Sequence, residues 1–524
     1  WRSLREVTPG GCRRVMWRGP GSGAPPLFFQ ETASPIAGIY VDKYLAANCT
    51  ADNYSIAARN CTGADGDAFR TIGGGLSALT SGITLYIREG TYAENDATLP
   101  ALGAFASMTT IAAYAGEAVV WQNNDIYYDT LSLAGNANNI TVRGITFQGR
   151  PYSGSNLRQW VQWQGNVWRS TPATSPTGEI IELKSGCNAS TVLCSKAVRS
   201  CLGQEKTGPA NLLSTGSDGD FFQDHTTDRV LYVYSDSGNP GLRADIWETG
   251  LGITIGNNSS GTVLVVVEQC TFDGQGHVHL KRGYRFRVSK NLFYRVGADW
   301  NDHHIYSWSN LSAGNEAIYE HNYFENDGGM GAALHVYGTG NQVPNQPPDY
   351  HVFRYNLVKS RSFWGVLLDA SHSRVTNNSF SLENRGDRAI NLQSFDASFN
   401  VLANNIITGP PLAPIVFEGN DGDRPSSNVL QFNLTDEASL TLGTCSGCTL
   451  TDNRTATSPG WLVAQPSSWT DFRLGAGSAA IDSGVNLGAG FQIGLDPADG
   501  AWLPSTADQN LHRSSWEIGA FVRK

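Results

Sequence analysis

Tyr319-Glu-His-Asn322-Tyr-Phe324, Phe353-Arg-Tyr-Asn356-Leu-Val358 and Val375-Thr-Asn-Asn378-Ser-Phe380 are versions of one phrase: a β-rich run, an Asn, then two mostly apolar residues. The phrase begins earlier as Val288-Ser-Lys-Asn291-Leu-Phe293 and returns as Leu402-Ala-Asn-Asn405-Ile-Ile407 and Leu430-Gln-Phe-Asn433-Leu-Thr435. Its Asn residues stand roughly 22 to 34 residues apart, the length of a solenoid turn with variable loops. A turn between two strands leaves backbone N–H and C=O groups near the interior. An Asn amide satisfies both kinds, and stacked coils place one Asn above the next in a hydrogen-bonded ladder.

A second strand precedes each phrase: His277-Val-His-Leu-Lys281, His304-Ile-Tyr-Ser-Trp308, Ala333-Leu-His-Val-Tyr337, Gly365-Val-Leu-Leu-Asp369, Ala389-Ile-Asn-Leu-Gln393 and Pro414-Ile-Val-Phe-Glu418. Alternation points Val278, Ile305, Leu334, Val366, Ile390 and Ile415 inward, together with Leu280, Val336, Leu368, Leu392 and Phe417. Ser307 is the polar exception among them. The pattern predicts an all-β chain, a right-handed parallel β-helix.

These phrases resemble the pectate-lyase-like β-helix superfamily. Gly66-Asp-Ala-Phe-Arg-Thr-Ile72 and Ile83-Thr-Leu-Tyr-Ile-Arg-Glu-Gly-Thr-Tyr92 are similar to the entry segment of many secreted bacterial β-helix proteins. Asp471-Phe-Arg-Leu-Gly-Ala-Gly-Ser-Ala-Ala-Ile-Asp482 and Glu517-Ile-Gly-Ala-Phe521 resemble their closing segment. The resemblance covers about residues 38–524 and implies the fold. It leaves the activity open among lyases, hydrolases, esterases and non-catalytic adhesins. The expected organisation is a disordered or non-native leader at 1–37, an N-terminal cap and first coils at 38–150, main coils at 241–455 and a closing segment at 456–524. Residues 151–240, where the repeat stops and Trp160-Val-Gln-Trp163 and Val230-Leu-Tyr-Val-Tyr234 appear, read as an inserted β-rich subdomain. The two ends are expected to be capped by the Cys49 region and by the segment after Trp461, since an open end invites self-association.

Composition agrees with many short strands: 58 Gly, and charged residues at only 16% of the chain. The net charge of −10 argues against general nucleic-acid binding, which needs a basic stripe. No apolar run reaches the ~18 residues of a membrane span. Most of the nine cysteines lie in loop-like text. Cys49 with Cys61, two of Cys187, Cys194 and Cys201, and Cys445 with Cys448 are spaced for short disulfides, which points to an oxidising compartment. Zinc is disfavoured, because Cys445 and Cys448 have no second ligand pair nearby.

Coils repeat about 4.8 Å apart, so outward residues form columns. One column runs His277, His304, Ala333, Gly365, Ala389, Pro414. The next runs His279, Tyr306, His335, Leu367, Asn391, Val416, and the third Lys281, Trp308, Tyr337, Asp369, Gln393, Glu418. Six of the ten His lie between His277 and His335. His, Tyr and Lys exchange protons, and aromatic rings stack on sugars, so the patch reads as a polysaccharide site.

Lyase chemistry, slightly favoured, takes His279 or His335 as base, Tyr306 as acid and Lys281 as charge stabiliser. The resemblance makes Lys281 a rival base. His277, His304, Trp308, Tyr337, Asn391 and Gln393 are expected to contact substrate. Hydrolysis would use Asp369 and Glu418, roughly 9.6 Å apart by backbone spacing, near the upper end of the inverting range. The resemblance also raises calcium as a cofactor, with Asp299 and Asp302 as candidate ligands. The alternative function class is a non-catalytic glycan-binding adhesin or a subunit of an extracellular assembly. The cysteine pairs and the resemblance together imply a secreted or cell-surface, bacterial protein.

Overall fold

A single coil shows how the repeat folds. In the computed structural model, Ala332–Tyr337 is a strand of a first parallel sheet, His351–Arg354 of a second and Leu357–Ser360 of a third. The chain then returns to the first sheet at Trp364–Asp369. Successive coils stay in register: Leu334 pairs with Val366, Val352 with Arg374, and Leu357 with Ser379. The molecule is a right-handed parallel β-helix, the hand that parallel crossovers take. Toward the N-terminus the long strands Leu102–Ala113 and Leu131–Arg143 bend across the first two sheets.

The structure describes residues 38–94, 102–122, 130–148, 158–172, 194–195, 200–201, 207–217, 221–223, 231–236, 238–239, 253–255, 263–273, 278–280, 284–294, 303–307, 316–326, 332–337, 350–360, 364–382, 388–393, 397–409, 414–418, 425–456, 460–461, 466, 468–496, 505–512 and 515–523. Cys187, Asp299, Asp302 and the leader at 1–37 therefore lie outside it.

The described inward residues of both columns, from Val278 to Phe417, lie in one core with the aliphatic side chains of the other two sheets. On the third sheet Trp121, Phe147, Phe272, Phe293 and Phe324 stack coil upon coil, with ring centroids 5.6, 5.3, 4.7 and 4.8 Å apart. Such stacks add to area burial by about 0.5–1.5 kcal/mol per pair. The polar exception has a partner inside: Ser307 Oγ accepts from the Tyr319 hydroxyl at 2.9 Å, and His351 Nδ1 lies 3.2 Å from the same hydroxyl.

The Asn residues of the repeat form a continuous ladder. Asn291 Nδ2 donates to Asn322 Oδ1 at 3.0 Å, Asn322 to Asn356 at 3.0 Å, Asn356 to Asn378 at 3.1 Å, Asn378 to Asn405 at 3.0 Å and Asn405 to Asn433 at 2.9 Å. Asn453 extends it, and Cys270 occupies the place below Asn291, donating its backbone N–H to Asn291 Oδ1. The residue before each rung is left-handed, as in His321 (φ 58), Tyr355 (φ 54) and Asn404 (φ 56). This conformation costs a non-glycine residue about 1–2 kcal/mol, and the two bonds that each rung from Asn322 to Asn453 accepts at Oδ1 offset it. A second, shorter ladder runs through Ser373, Asn400 and Asn428.

At the N-terminal end the helix Ile72–Ala78 packs Ile72 and Leu76 against the first coil. Cys49–Cys61 closes the adjoining loop with an S–S distance of 2.04 Å, and Cys445–Cys448 is bonded in the last coil. Among its described residues, the C-terminal segment lies on the flank and not across the opposite end. It runs back along the flank: Trp461, Trp469, Phe472, Leu495, Ile518 and Phe521 cover Leu292, Tyr323, Leu357, Ile406 and Leu434 of the third sheet. The apolar outer face of that sheet is the reason, since it needs a cover more than the polar last coil does. Thr449–Thr451 stays exposed.

Within 151–240, Arg158–Gln164, Val167–Pro172, Phe221–Gln223 and Leu231–Tyr234 form a separate four-stranded antiparallel sheet. Trp160, Val167 and Val233 are buried on it, as is Leu212 of the adjoining helix Pro209–Thr215. Among the described residues, no helix is long and apolar enough to cross a membrane.

Candidate functional site on the first sheet

Strict alternation fails at the start of each first-sheet strand. Ala333, Ala389 and Pro414 are buried, and a Cβ on Gly365 would stand 2.6 Å from Ala389 O and 2.9 Å from the Phe380 ring. Two consecutive positions therefore face inward, and the expected outer column of His304, Ala333, Gly365, Ala389 and Pro414 belongs to the interior. His304 is the clearest correction. Its ring lies 5.5 Å from Phe293 and 5.6 Å from Phe324, at 2% exposure, so it does not contact substrate. Burial there pushes its pKa well below the ordinary value.

One residue earlier the chain faces out again. Ala332, Trp364 and Leu367 pack together apart from the main core, and Trp364 is in register with Arg388. His303 occupies the equivalent place one coil before Ala332. Because the strand Ile305–Ser307 starts late, the Ala332 N–H meets a side chain instead of a backbone carbonyl: it donates to His303 Nδ1 at 2.9 Å. His303 Nε2 lies 2.8 Å from His335 Nδ1. Tyr306 completes the cluster, stacked on His303 at 5.5 Å and edge-on to His335 at 5.0 Å. Burial draws His335 down to a pKa of about 3. The sequence reading passed over His303, because alternation assigned the outward place to the adjacent His304.

The middle column stands in the expected register: His279 opposite Tyr306, Tyr306 opposite His335, His335 opposite Leu367, Leu367 opposite Asn391, and Asn391 opposite Val416. It is not an open wall. Leu367, Asn391 and Val416 are buried, while Tyr306 is half-buried. In the third column Tyr337 is opposite Asp369, which is buried, and Gln393 is opposite Glu418. Both carboxylate oxygens of Glu418 are engaged, one by Arg388 Nη1 and the other by Asn391 Nδ2 at 2.8 Å. Asn391 Oδ1 is buried and has no hydrogen-bond partner among the described residues. His277, Lys281 and Trp308, and the side chains of His279 and Tyr337, lie outside the described residues.

For the calcium that the resemblance implies, no group of three His, Cys, Asp or Glu among the described residues is placed to hold a metal ion. No candidate calcium ligand is assigned among them.

No family model matches the chain, and no curated protein matches it. Similar solved structures include XylC in complex with xylose, at 11% identity and a TM-score of 0.40, covering 79% of this chain and 86% of that one. The surface adhesin PfbA of Streptococcus pneumoniae aligns at 10% identity and a TM-score of 0.36 over 73% of this chain and 86% of its own. The A-module of the Azotobacter vinelandii mannuronan C-5 epimerase AlgE6 aligns at 14% identity and a TM-score of 0.31 over 74% and 94%. These are likenesses of fold alone.

Proposed function

We propose that this chain is a secreted or cell-surface carbohydrate-active protein that cleaves a polysaccharide on the outward face of its first sheet, by β-elimination. The observation that carries the reading is the contiguity of groups on that face. His303, Tyr306 and His335 form one cluster, and Asn391, Arg388 and Glu418 form another further along the same sheet. Elimination needs a base for the proton alpha to a uronate carboxylate, a donor or cation for the enolate-like charge, and an acid for the leaving oxygen. Tyr306, half-buried beside two imidazoles, is assigned as the acid, and His279 or Lys281 as the base. The unmatched Oδ1 of Asn391 supports a ligand here, since a sugar hydroxyl would satisfy it. The Cys49–Cys61 disulfide supports an oxidising compartment.

Hydrolysis is the second reading. It is favoured by the placement of Asp369 and Glu418 in one outward column with Gln393 between them. Mass spectrometry of products from a panel of acidic and neutral polysaccharides separates the two. Unsaturated fragments, lighter by one water, support elimination, and saturated fragments move the chemistry to Asp369 and Glu418. Retention of polysaccharide without any fragment would replace both readings with a glycan-binding adhesin.

A further inference from the structure

The second ladder has its own row of left-handed residues. Tyr350 (φ 43), His372 (φ 53), Phe399 (φ 59) and Ser427 (φ 56) immediately precede His351, Ser373, Asn400 and Asn428. The strand register sets them one above the next, at the corner where the chain passes from the first sheet to the second. Their backbones are tied coil to coil: the His372 N–H donates to the Ser398 carbonyl, the Phe399 N–H to that of Ser426 and the Ser427 N–H to that of Ser446. Three of the four carry rings, and the rings stack. The centroids of Tyr350 and His372 are 5.5 Å apart, and those of His372 and Phe399 5.2 Å. The stack faces water, since His372 is exposed and Phe399 is 55% exposed. Beyond Phe399 the column continues without a ring. Ser427 stands on the next coil and Gly447 on the one after, where a Cβ would still be 3.7 Å from Ser427 Oγ. One face of Phe399 therefore rests on His372, and the other looks along the axis over two small residues.

The first ladder shows what such a row does when it is occupied. There His321 stacks on Tyr355 at 5.6 Å, and the amides of Asn377 and Asn404 hold the backbone of the C-terminal segment. The second row carries no side-chain amide, so it lacks the group that pairs with a polypeptide edge. It offers a ring face with a serine hydroxyl on the next coil. A pyranose is the complement of that arrangement: its C–H face is apolar and its rim is hydroxylic. From this geometry we propose that Phe399, backed by His372 and Tyr350, is a stacking platform for one pyranose ring of a polysaccharide, which lies on its free face over Ser427 and Gly447. The proposal rests on the reading of the ligand as a glycan and adds a subsite to it. The platform borders the outward face of the first sheet, because His372 comes just after the strand Trp364–Asp369 and Phe399 soon after Arg388–Gln393. Its role is to anchor the polymer beside that face, with no part in bond cleavage.

The test is affinity electrophoresis of the full chain in native gels cast with polygalacturonate, alginate, xylan or hydroxyethyl cellulose. The wild type should be retarded by at least one of the four, and Phe399→Ala should weaken that binding about three- to tenfold. Phe399→Trp keeps a platform and should bind as well as the wild type or better. Leu511→Ala removes a side chain that is 78% exposed elsewhere on the surface and should change nothing. Undiminished binding by Phe399→Ala overturns the proposal, as does loss of binding in Phe399→Trp with an unshifted urea midpoint. An equal loss in Leu511→Ala would mark general apolar adhesion and overturn it too, and so would a wild type that none of the four polymers retards. The catalytic reading is scored separately, by products. Retardation that depends on Phe399 with no product formed removes cleavage and keeps the platform, whereas cleavage with binding unchanged in Phe399→Ala does the reverse.

Discussion

Asn404 makes both of its side-chain hydrogen bonds to one residue, Val485. Its Nδ2 donates to the Val485 carbonyl at 2.8 Å, and its Oδ1 accepts the Val485 N–H at 2.9 Å. A left-handed rung neighbour thus mimics a strand edge, and the returning C-terminal segment pairs with it. Its neighbours in the same row also bind the segment: His321 through the Ile493 carbonyl, Asn377 through the Glu517 carbonyl, and Tyr355 through Gln509. Asn404→Ala should cost about 1–3 kcal/mol, since two backbone groups lose their partner. The loss should be local. Limited proteolysis should cut within residues 483–495 faster in the variant, while the far-ultraviolet spectrum stays unchanged, and equal cutting rates would contradict the docking role.

The Asn ladder should respond by position. Asn356 accepts from Asn322 and donates to Asn378 and to two backbone carbonyls, all in the interior. Asn356→Ala leaves several of these groups unmatched and should destabilise the chain by about 2–3 kcal/mol. Asn453→Ala, on the half-buried last rung, should cost about 1 kcal/mol or less. Equal shifts of the two urea midpoints would refute a ladder whose strength depends on burial.

Stability should fall on acidification from pH 7.5 to 5. His321 and His335 are pushed down by burial from 6.5 to about 4 and about 3, and His304 moves in the same direction. The unfolded chain binds more protons than the folded one in this range. Stability is therefore full above about pH 6.5 and is lost as pH falls from there toward 4, by about 1.4 kcal/mol per unit for each such group. Glu320 acts lower. Burial opposes its ionisation, but the adjacent His321, then Arg354 and Arg287, outweigh it and hold it near 2, so its contribution is lost only below about 4.5. A urea midpoint that stays level between pH 7.5 and 5 would contradict the buried neutral histidines.

On the outward face, Tyr306→Phe should lower kcat of an eliminating enzyme by about 10²–10⁴, while Glu418→Gln should change it far less. The opposite ranking would select hydrolysis. Full activity after joint replacement of His279, Lys281, Tyr306 and His335 would remove this face from the chemistry.

The coil was legible because its signals are local and repeated. An Asn with apolar followers, and alternating Val, Leu and Ile, needed no knowledge of what lay beside them. The second ladder was missed: Ser398-Phe-Asn400-Val-Leu402 and Ser426-Ser-Asn428-Val-Leu430 share a phrase, but it recurs only twice in that form, and Ser373 stands in place of the Asn one coil earlier. The site was half legible. Period two placed Tyr306, His335, Asp369 and Glu418 in their columns correctly, but it misplaced His304, because two consecutive residues turn inward where the chain enters the first sheet. His303 was missed by that one-residue slip. The pairing of Arg388 with Glu418 joins residues in adjacent coils, and no sequence spacing announces it.

The flanking segment also sets an order of events as the chain is made. The third sheet gains its apolar outer face, Leu292, Tyr323, Leu357 and Ile406, well before residues 461–521 exist to cover it. The hydrogen bonds that tie the covering segment to the coils at Asn404 and His321 span 81 and 172 residues. During synthesis the coils can stack one by one, yet each presents a sticky side until the last residues emerge. Closure is then a late, long-range step, and a ribosome-bound or truncated chain is a species that needs shielding from its neighbours.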